Sequence, residues 1–275
     1  MTIGRQFGPL SKARRSLIAD LATRAGRERH GRFLLEGPRA IADALARGAR
    51  LSCLVADPTG EEEVGRWLAA GLVPESTALY RAETAEVERL ADTETPQGIL
   101  AVGELPPEGL GALPEPGSLI LLVDGIQDPG NLGTLLRTLA AVGGKAAICC
   151  KGTVDPFNPK ALRGSAGAAL SLAVARGVER EAAASWCAER GVAIIALAAG
   201  GSDLFGGGLP AGGLPAGPLA LAVGGEAAGL SPEIERAAAL VVGIPMEATV
   251  ESLSAAVAGS VALYALAFHL VRRDG

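Results

Sequence analysis

The sequence predicts an α/β protein with a parallel sheet flanked by helices in its C-terminal part and a smaller α/β domain in front. Short continuous runs of Leu, Ile and Val between turn residues are typical of parallel strands buried on both faces. Helical patterns lie between several of these runs. Residues 105–117 contain four prolines and three glycines, which indicates a linker. The 275 residues, nearly half of them apolar, therefore divide into predicted domains 1–104 and 118–275.

The first segment alternates helical and strand patterns. Leu17, Ile18, Leu21 and Ala25 fall on one face of a predicted helix, with arginines on the opposite face. The predicted helices of this segment are 12–25, 38–47, 61–70 and 83–90, and the predicted strands are 32–36, 51–56 and 98–102.

The second segment carries the apolar runs of the larger sheet. Its predicted strands are 118–124, 146–150, 193–198, 219–223 and 240–244, and its predicted helices are 131–142, 159–170, 180–190 and 253–271. The Gly- and Pro-rich stretch 206–217 is predicted to be a loop. The apolar run 255–271 is shorter than a typical membrane span and includes Gly259, Ser260 and His269, so we expect a buried helix there.

The charge distribution is uneven. The net charge is -5, yet residues 1–50 carry eleven Arg or Lys and only four acids, so the remainder carries -12. The basic N-terminal segment favours contact with a polyanion. Charge alone is equally consistent with a helix face that is simply exposed to solvent.

The cysteines and histidines argue against metal and disulfide chemistry. None of the four cysteines belongs to a C-x-x-C pair, and only two histidines are present. We expect the adjacent Cys149 and Cys150 to be core residues. The N-terminus lacks the apolar region of a signal peptide, so a cytoplasmic location is predicted.

The first candidate functional motif is 124–137, DGIQDPGNLGTLLR. A strand ends at Asp124, a turn follows, and Asn131 is placed to cap the next helix. Arg137 follows one and a half helical turns later and is expected near the Asn131 side. A helix N-terminus beside an arginine suits an anion such as phosphate. A capped helix with a surface arginine is the simpler alternative.

The second motif, 219–230, reads LALAVGGEAAGL. A buried strand leads into Gly224, Gly225 and Glu226, with Gly229 beyond. Glycines at the carboxyl end of a strand let a ligand approach the backbone. The spacing is not the dinucleotide fingerprint, and a plain strand-to-helix turn is an equal alternative.

The third motif, 242–259, reads VGIPMEATVESLSAAVAG. A strand is expected to end in Ile244-Pro245-Met246, and Ser252 or Ser254 is placed to cap the last helix. The small residues that follow permit very close helix packing. A capped core helix explains the same pattern.

The order and spacing of these motifs resemble the SpoU/TrmH family of RNA ribose 2′-O-methyltransferases. The resemblance rests on D-P-G-N-L-G-x-x-x-R, then V-G-G-E-x-x-G-L, then I-P-M followed by S-L, and it covers residues from about 118 to the C-terminus. The stretch RGSAGA at 163–168 resembles the family segment between the first two motifs. The N-terminal RHGRFLLEGPRAIADAL resembles the ribosomal-protein-like substrate-binding domain often fused ahead of this catalytic domain.

The resemblance implies a parallel sheet with a deep trefoil knot, a homodimer, and S-adenosylmethionine as methyl donor without a metal. It implies structured RNA as partner, with 23S rRNA favoured over tRNA. The implied catalytic residues are Asn131, Arg137, Glu226 and Ser252. The implied cofactor-binding residues are Ala198, Gly200, Gly201, Gly224, Gly225, Gly229, Ile244, Met246 and Leu253.

Physical chemistry narrows the implied roles. A guanidinium remains protonated at pH 7, so Arg137 is expected to hold an RNA phosphate and stabilise charge on the 2′-oxygen rather than to act as a base. Glu226 would orient Arg137 or polar groups of the substrate, and Asn131 and Ser252 would position the backbone.

The chain departs from the family pattern at two positions. Ser254 stands where the family usually has Asn, and Gly225 stands where Asn or Ala is common. Ser254 alone supports the alternative of a catalytically impaired RNA-binding relative. A role in resistance to a ribosome-directed antibiotic is a further alternative. A nicotinamide-dependent oxidoreductase lacks its fingerprint glycines, and a serine hydrolase would have only His30 and His269 to draw on.

Overall fold

The computed structural model describes residues 5–205, 213–226, 228–247, 249–250 and 252–274. Up to residue 105 the elements are β1 Gly8–Pro9, α1 Lys12–Asp20, α2 Arg24–His30, β2 Arg32–Glu36, α3 Pro38–Ala46, β3 Leu51–Ala56, α4 Pro58–Ala69, β4 Ala78–Arg81, α5 Thr84–Leu90 and β5 Ile99–Glu104. Beyond it they are β6 Leu119–Asp124, α6 Pro129–Ala141, β7 Ala146–Cys150, α7 Pro159–Gly164, β8 Ala173–Val178, α8 Arg180–Glu189, β9 Ala193–Asp203, β10 Leu219–Gly224, α9 Pro232–Ala237, β11 Ala238–Gly243 and α10 Ala255–Asp274.

The chain forms two compact units. The first comprises Met1–Leu105 and Phe157–Ser171, and the second comprises Pro106–Pro156 and Leu172–Gly275. The domain limits predicted from the sequence place residues 157–171 with the C-terminal part. In the structure Phe157 stacks on Phe33 with ring centroids 6.2 Å apart, and Arg163 pairs with Asp92 at 2.9 Å, both within the first unit.

The first unit has a mixed five-stranded sheet in the order β1-β4-β3-β5-β2, in which β5 runs antiparallel to both β2 and β3. Strands β1 and β4 were not predicted, because two and four residues are too short to display an alternating pattern. The amino ends of the parallel strands β2 and β3 lie at the same end of this sheet as Glu104, the last residue of β5.

The predicted helix 12–25 is wrong in its extent, because it is two helices. Thr23 accepts a hydrogen bond from the Gly26 amide and thereby caps α2. The guanidinium of the buried Arg27 donates to the carbonyls of Leu21 and Ala22 at 2.9 and 3.0 Å. The break between the helices is therefore stabilised by contacts that the helical periodicity does not contain.

The second unit has a six-stranded sheet in the order β11-β9-β10-β6-β7-β8, and every neighbouring pair is parallel. All residues of β6 and β7 are buried, as the continuous apolar runs predict. Helices pack along this sheet, so the predicted α/β class with a parallel, helix-flanked sheet is confirmed.

Three predictions for the second unit differ from the structure. Strand β8 and helix α9 were missed, since Arg176 and Gly177 interrupt the apolar pattern of β8 and α9 has only six residues. Strand β9 continues past residue 198 to Asp203, because its Gly-rich end pairs with β11.

The predicted helix 159–170 belongs to the first unit in the structure, and it ends at Gly164. Ala166 and Gly167 have φ angles of 48° and 75°, which no α-helix continues through, and a 3₁₀ turn follows at Ala168–Ser171. Of the predicted loop 206–217, residues 206–212 lie outside the described residues, and 213–217 form neither helix nor strand.

All four cysteines are free and buried, as expected for Cys149 and Cys150. Within the described ranges, no cluster of three or more His, Cys, Asp or Glu side chains is arranged to hold a metal ion. A search of the same ranges finds no helix whose length and apolar character would let it cross a membrane.

Candidate cofactor site

A cavity of about 290 Å³ lies where the carboxyl ends of β9, β10 and β11 meet. Its walls come from Leu197, Ala198 and Ala199 of β9, from the loop after β10, from Ile244 and Met246 after β11, and from the start of α10. Ligands of open α/β sheets bind at this edge, and the volume is close to the lower limit of small-molecule sites.

Two glycines allow the loop after β10 to fold closely. A Cβ atom added to Gly224 would lie 2.2 Å from the carbonyl carbon of Gly229, and one added to Gly225 would lie 2.8 Å from the Gly125 carbonyl oxygen. The Gly229 amide, at a residue with a φ of 67°, donates to the Gly225 carbonyl at 2.8 Å. Close backbone contacts therefore require glycine at 224 and 225, the positive φ favours glycine at 229, and all three residues line the cavity.

The first motif contacts the second through a side-chain hydrogen bond. The Asn131 amide Nδ2 donates to the Glu226 carboxylate Oε1, although 95 residues separate them. The predicted capping role of Asn131 is wrong: Asp128 caps α6, accepting from the Asn131 backbone amide at 2.8 Å. Because Pro129 occupies the first helical turn, the helix begins earlier than expected, and the Asn131 side chain is free to reach the loop.

Arg137 lies on the exposed face of α6, whereas Leu132, Leu135, Leu136 and Leu139 form the buried face. It does not line the cavity, and its guanidinium has no hydrogen bond or ion pair with any residue in the described ranges. The expectation that Glu226 orients Arg137 is not met in this structure, where Glu226 pairs with Asn131. Arg137 is thus available to a group from outside the chain.

The third motif brings Ser252 and Leu253 to the cavity wall. Ser254 rather than Ser252 caps α10, with its hydroxyl 3.3 Å from the Val257 amide that donates to it. The preceding strand ends at Gly243, so Ile244 and Met246 belong to the following segment and line the cavity.

Helix α10 packs closely on the first and second motifs because Gly259 has no side chain. A Cβ atom there would lie 2.4 Å from a Leu135 methyl group and 3.2 Å from Val223. The hydroxyls of Thr138 and Ser260 are 2.9 Å apart along the same contact. The second and third motifs therefore line one cavity, and the first motif packs against both of them.

Two of the cofactor-binding residues implied by the sequence lie elsewhere. Gly200 and Gly201 do not line the cavity. They belong to the extension of β9, where a Cβ atom on Gly201 would lie 2.4 Å from the Val242 carbonyl carbon. The close pairing of β9 with β11 thus explains the Gly201 position, while the other seven implied residues line the cavity.

The sequence also left some lining residues unassigned. Glu235 lies on α9, a helix too short to show a helical period, and Ala258 reaches the cavity from the end of the first turn of α10. Val223 and Leu230 flank the glycines directly, so adjacency to the motif was a signal for these two.

A parallel α/β sheet with a glycine-walled cavity at its carboxyl edge defines a class of ligand-binding α/β enzymes. Comparison with known families narrows this class. Residues 118–264 match the model of the SpoU rRNA Methylase family, and residues 16–101 match that of the MRM3-like substrate binding domain. The chain belongs to the SpoU rRNA methylase family, and it is an S-adenosylmethionine-dependent methyltransferase.

Individual relatives are similar over nearly the whole chain. The chain is 32% identical over 247 residues to the 23S rRNA (guanosine(2553)-2′-O)-methyltransferase RlmP of Bacillus subtilis, covering 90% of this chain and 92% of that one. It is 30% identical over 246 residues to the 23S rRNA (uridine(2479)-2′-O)-methyltransferase of Streptomyces viridochromogenes, covering 89% and 85%. The crystal structure of the SpoU methyltransferase AviRb from Streptomyces viridochromogenes, in complex with AdoMet, aligns with a TM-score of 0.82 at 27% identity, covering 95% of this chain and 99% of that one.

Proposed function

We propose that this protein methylates a ribose 2′-hydroxyl in ribosomal RNA, with 23S rRNA as the substrate class. The observation that carries the proposal is that the second and third motifs line one cavity, while Asn131 of the first motif is hydrogen-bonded to the lining residue Glu226. The family membership and the names of two relatives that act on 23S rRNA support the same substrate.

The cavity has the character that S-adenosylmethionine requires. Ile244, Met246 and Leu253 supply apolar walls for a flat base, while Gly224 and Gly225 have no side chains and let a ligand approach the backbone. When bound, the cofactor supplies a methyl group activated by its sulfonium sulfur. The task that remains for the protein is to align the ribose oxygen with that methyl group.

The polar residues divide this task. We call the loop after β10, residues 225–230, the cofactor loop. The hydrogen bond between Asn131 and Glu226 holds the N-terminus of α6 against it. Ser252 lines the cavity beside Leu253. Arg137, exposed and unpaired within the described ranges, is placed to bind an RNA phosphate and to stabilise negative charge that develops on the 2′-oxygen.

The basic residues of the first unit sort into two groups. Arg5, Arg15, Arg24, Arg27 and Arg29 are occupied by carbonyl or carboxylate groups, and Arg14 lies over the Tyr80 ring. The basic residues of 1–50 without such a partner among the described residues are Lys12, Arg32, Arg39, Arg47 and Arg50.

Three members of the second group lie at one end of the sheet. Arg32 opens β2, Arg50 precedes β3, and Arg47 caps the C-terminus of α3, which returns from the far end of β2. We call Arg32, Arg47 and Arg50 the basic end of the first unit. Unpaired arginines of this kind suit the phosphate backbone of RNA, and we assign the RNA contact of this unit to them.

The proposed assembly is a homodimer formed through α10. Val257, Val261, Tyr264, Phe268 and Val271 follow one another at intervals of four and three residues, and each is at least 37% exposed. We call this set the α10 seam. Its spacing is that of a helix-pairing stripe, so a second copy of the chain is the occupant we propose. The expectation of a buried helix holds in the single chain for Ala262, Leu263 and Leu266 but not for the α10 seam.

We also propose a deep trefoil knot around the cavity, a cytoplasmic location, and rRNA rather than tRNA as substrate. The alternative of a catalytically impaired relative is separated from the proposed function by the experiment that follows.

The test combines methyl transfer with cofactor binding. The purified protein is incubated with 23S rRNA, with tRNA and with radiolabelled S-adenosylmethionine, and the modified nucleotide is mapped. Arg137→Ala is expected to cut methyl transfer at least a hundredfold while calorimetric affinity for S-adenosylmethionine stays within twofold, because Arg137 lies outside the cavity. Arg190→Ala is the control, because Arg190 ends α8, lies over the Trp186 ring and does not line the cavity.

Normal turnover by Arg137→Ala would remove that residue from the mechanism. If only tRNA is labelled, the substrate is tRNA rather than 23S rRNA. A wild-type protein that neither binds the cofactor nor labels any RNA would refute the proposed function.

A further inference from the structure

Asp124, the last residue of β6, is a buried carboxylate that does not line the cavity. Its exposed fraction is 2%. The Arg180 Nε donates to Oδ1 at 2.8 Å, and the Ser231 amide donates to Oδ2 at 2.8 Å. Ser231 is 107 residues away in sequence and directly follows the cofactor loop.

The main chain of Asp124 holds the other end of the same loop. Gly224 pairs with Asp124 in the β10–β6 ladder, and the Gly225 amide donates to the Asp124 carbonyl at 3.0 Å. The Asp124 carbonyl therefore holds the start of this loop through the Gly225 amide, and the Asp124 side chain holds its end through the Ser231 amide. This loop carries Glu226 and the glycine wall of the cavity.

We propose that Asp124 is a positioning residue that closes the cofactor loop, and that Arg180 is its charge partner. A buried carboxylate needs both a counter-charge and hydrogen-bond donors for its oxygens. Arg180 supplies the charge and one donor, and Ser231 supplies the second donor. The inference rests on the proposed function to the extent that the cavity binds S-adenosylmethionine.

Asp124→Asn changes this arrangement with little change in shape. An amide has one acceptor and one donor group, so either Arg180 or Ser231 would face an N–H donor instead of an oxygen. If the amide nitrogen faces Ser231, the loop loses its second attachment; if it faces Arg180, the charge partner of the side chain that holds the loop is lost. Since the affected groups hold the cofactor loop of the second unit, whereas the basic end belongs to the first unit, cofactor affinity should fall and RNA affinity should not.

The experiment measures S-adenosylmethionine affinity by calorimetry, steady-state kinetics and amide hydrogen exchange on the full chain. For Asp124→Asn we expect at least a tenfold weaker affinity, a KM for the cofactor raised more than kcat is lowered, and faster exchange at Gly225 and Ser231. The matched control is Asp155→Asn, a buried aspartate 3.8 Å from Arg176, which should leave cofactor affinity within twofold.

A second pair of variants covers the case in which Asp124→Asn does not fold. Arg180→Gln removes only the charge partner of Asp124, and the Arg180 side chain is 31% exposed. We expect this variant to weaken cofactor affinity at least threefold, and we expect Arg180→Lys to restore the affinity. Wild-type affinity in a folded Asp124→Asn or in Arg180→Gln would overturn the positioning role. A wild-type protein that does not bind S-adenosylmethionine would refute the proposed function instead, so the two failures are distinguishable.

Discussion

Replacing Gly224 with alanine tests whether close backbone packing builds the cofactor site. The added Cβ atom would lie 2.2, 2.3 and 2.5 Å from the Gly229 carbonyl carbon, its oxygen and the Leu230 amide nitrogen. These atoms are all backbone, so no side-chain rotation relieves the contact. The loop after β10 must move away from the strand.

The size of the effect follows from the distances. Ordinary Cβ contacts begin at 3.4 Å, so the loop must shift by about 1 Å or more at Gly229. Overpacking of this kind costs about 1–3 kcal/mol in folding free energy, which lowers the unfolding temperature by about 2–12 °C. A displacement of about 1 Å at a site is also enough to cost about a hundredfold in rate.

The assay is calorimetric titration with S-adenosylmethionine together with thermal unfolding and methyl transfer. We expect Gly224→Ala to weaken cofactor affinity at least tenfold and to unfold at a lower temperature. Gly65→Ala is the matched control, because a Cβ atom at Gly65 meets nothing within 4 Å and alanine favours helix α4 by about 1 kcal/mol. Unchanged affinity and unfolding temperature in Gly224→Ala would refute the reasoning.

Three further predictions follow from the surfaces and the buried thiols. Phe268→Asp, which places a charge within the α10 seam, should convert a dimer to a monomer in light scattering; a dimer that persists would contradict the assignment of the seam. Arg50→Gln should reduce the slope of log affinity for RNA against log salt by about 0.7–0.9, whereas Arg24→Gln, whose guanidinium pairs with Glu28, should leave it unchanged; equal effects would argue against the basic end. Burial raises the pKa of the Cys150 thiol to about 12 and that of Cys187 to about 11, from an ordinary value of 9.0. Both should resist a thiol reagent at pH 8 until the protein unfolds, and stability should fall as the pH rises above about 9, because only the unfolded thiols then ionise; rapid labelling of the native protein would contradict their burial.

The sequence predicted the parts of the fold that have strong local patterns. Strands β6 and β7 follow from unbroken apolar runs, and the glycines of the second motif were recognised because they end a buried strand. The extension of β9 was not predictable in this way. Its residues have low strand preference and pair only because β11 lies beside them.

The helix ends likewise depended partly on local pattern and partly on tertiary contacts. Asp128 and Asn131 are both good capping residues, so the sequence alone did not distinguish them. Ser252 and Ser254 likewise could not be distinguished from the sequence, and the structure shows that Ser254 caps α10. In both cases the residue that does not cap is the one whose side chain is free for the site.

By itself, the sequence determined the class of the fold, the family, and the three segments that contain the site, because these depend on residue type and spacing along the chain. Only the tertiary structure decided which atoms meet. Asp124 finds Arg180 and Ser231 across 56 and 107 residues, and no local pattern encodes such distant pairs. It also decided which apolar residues of α10 remain exposed, since burial depends on the neighbours that the whole fold supplies.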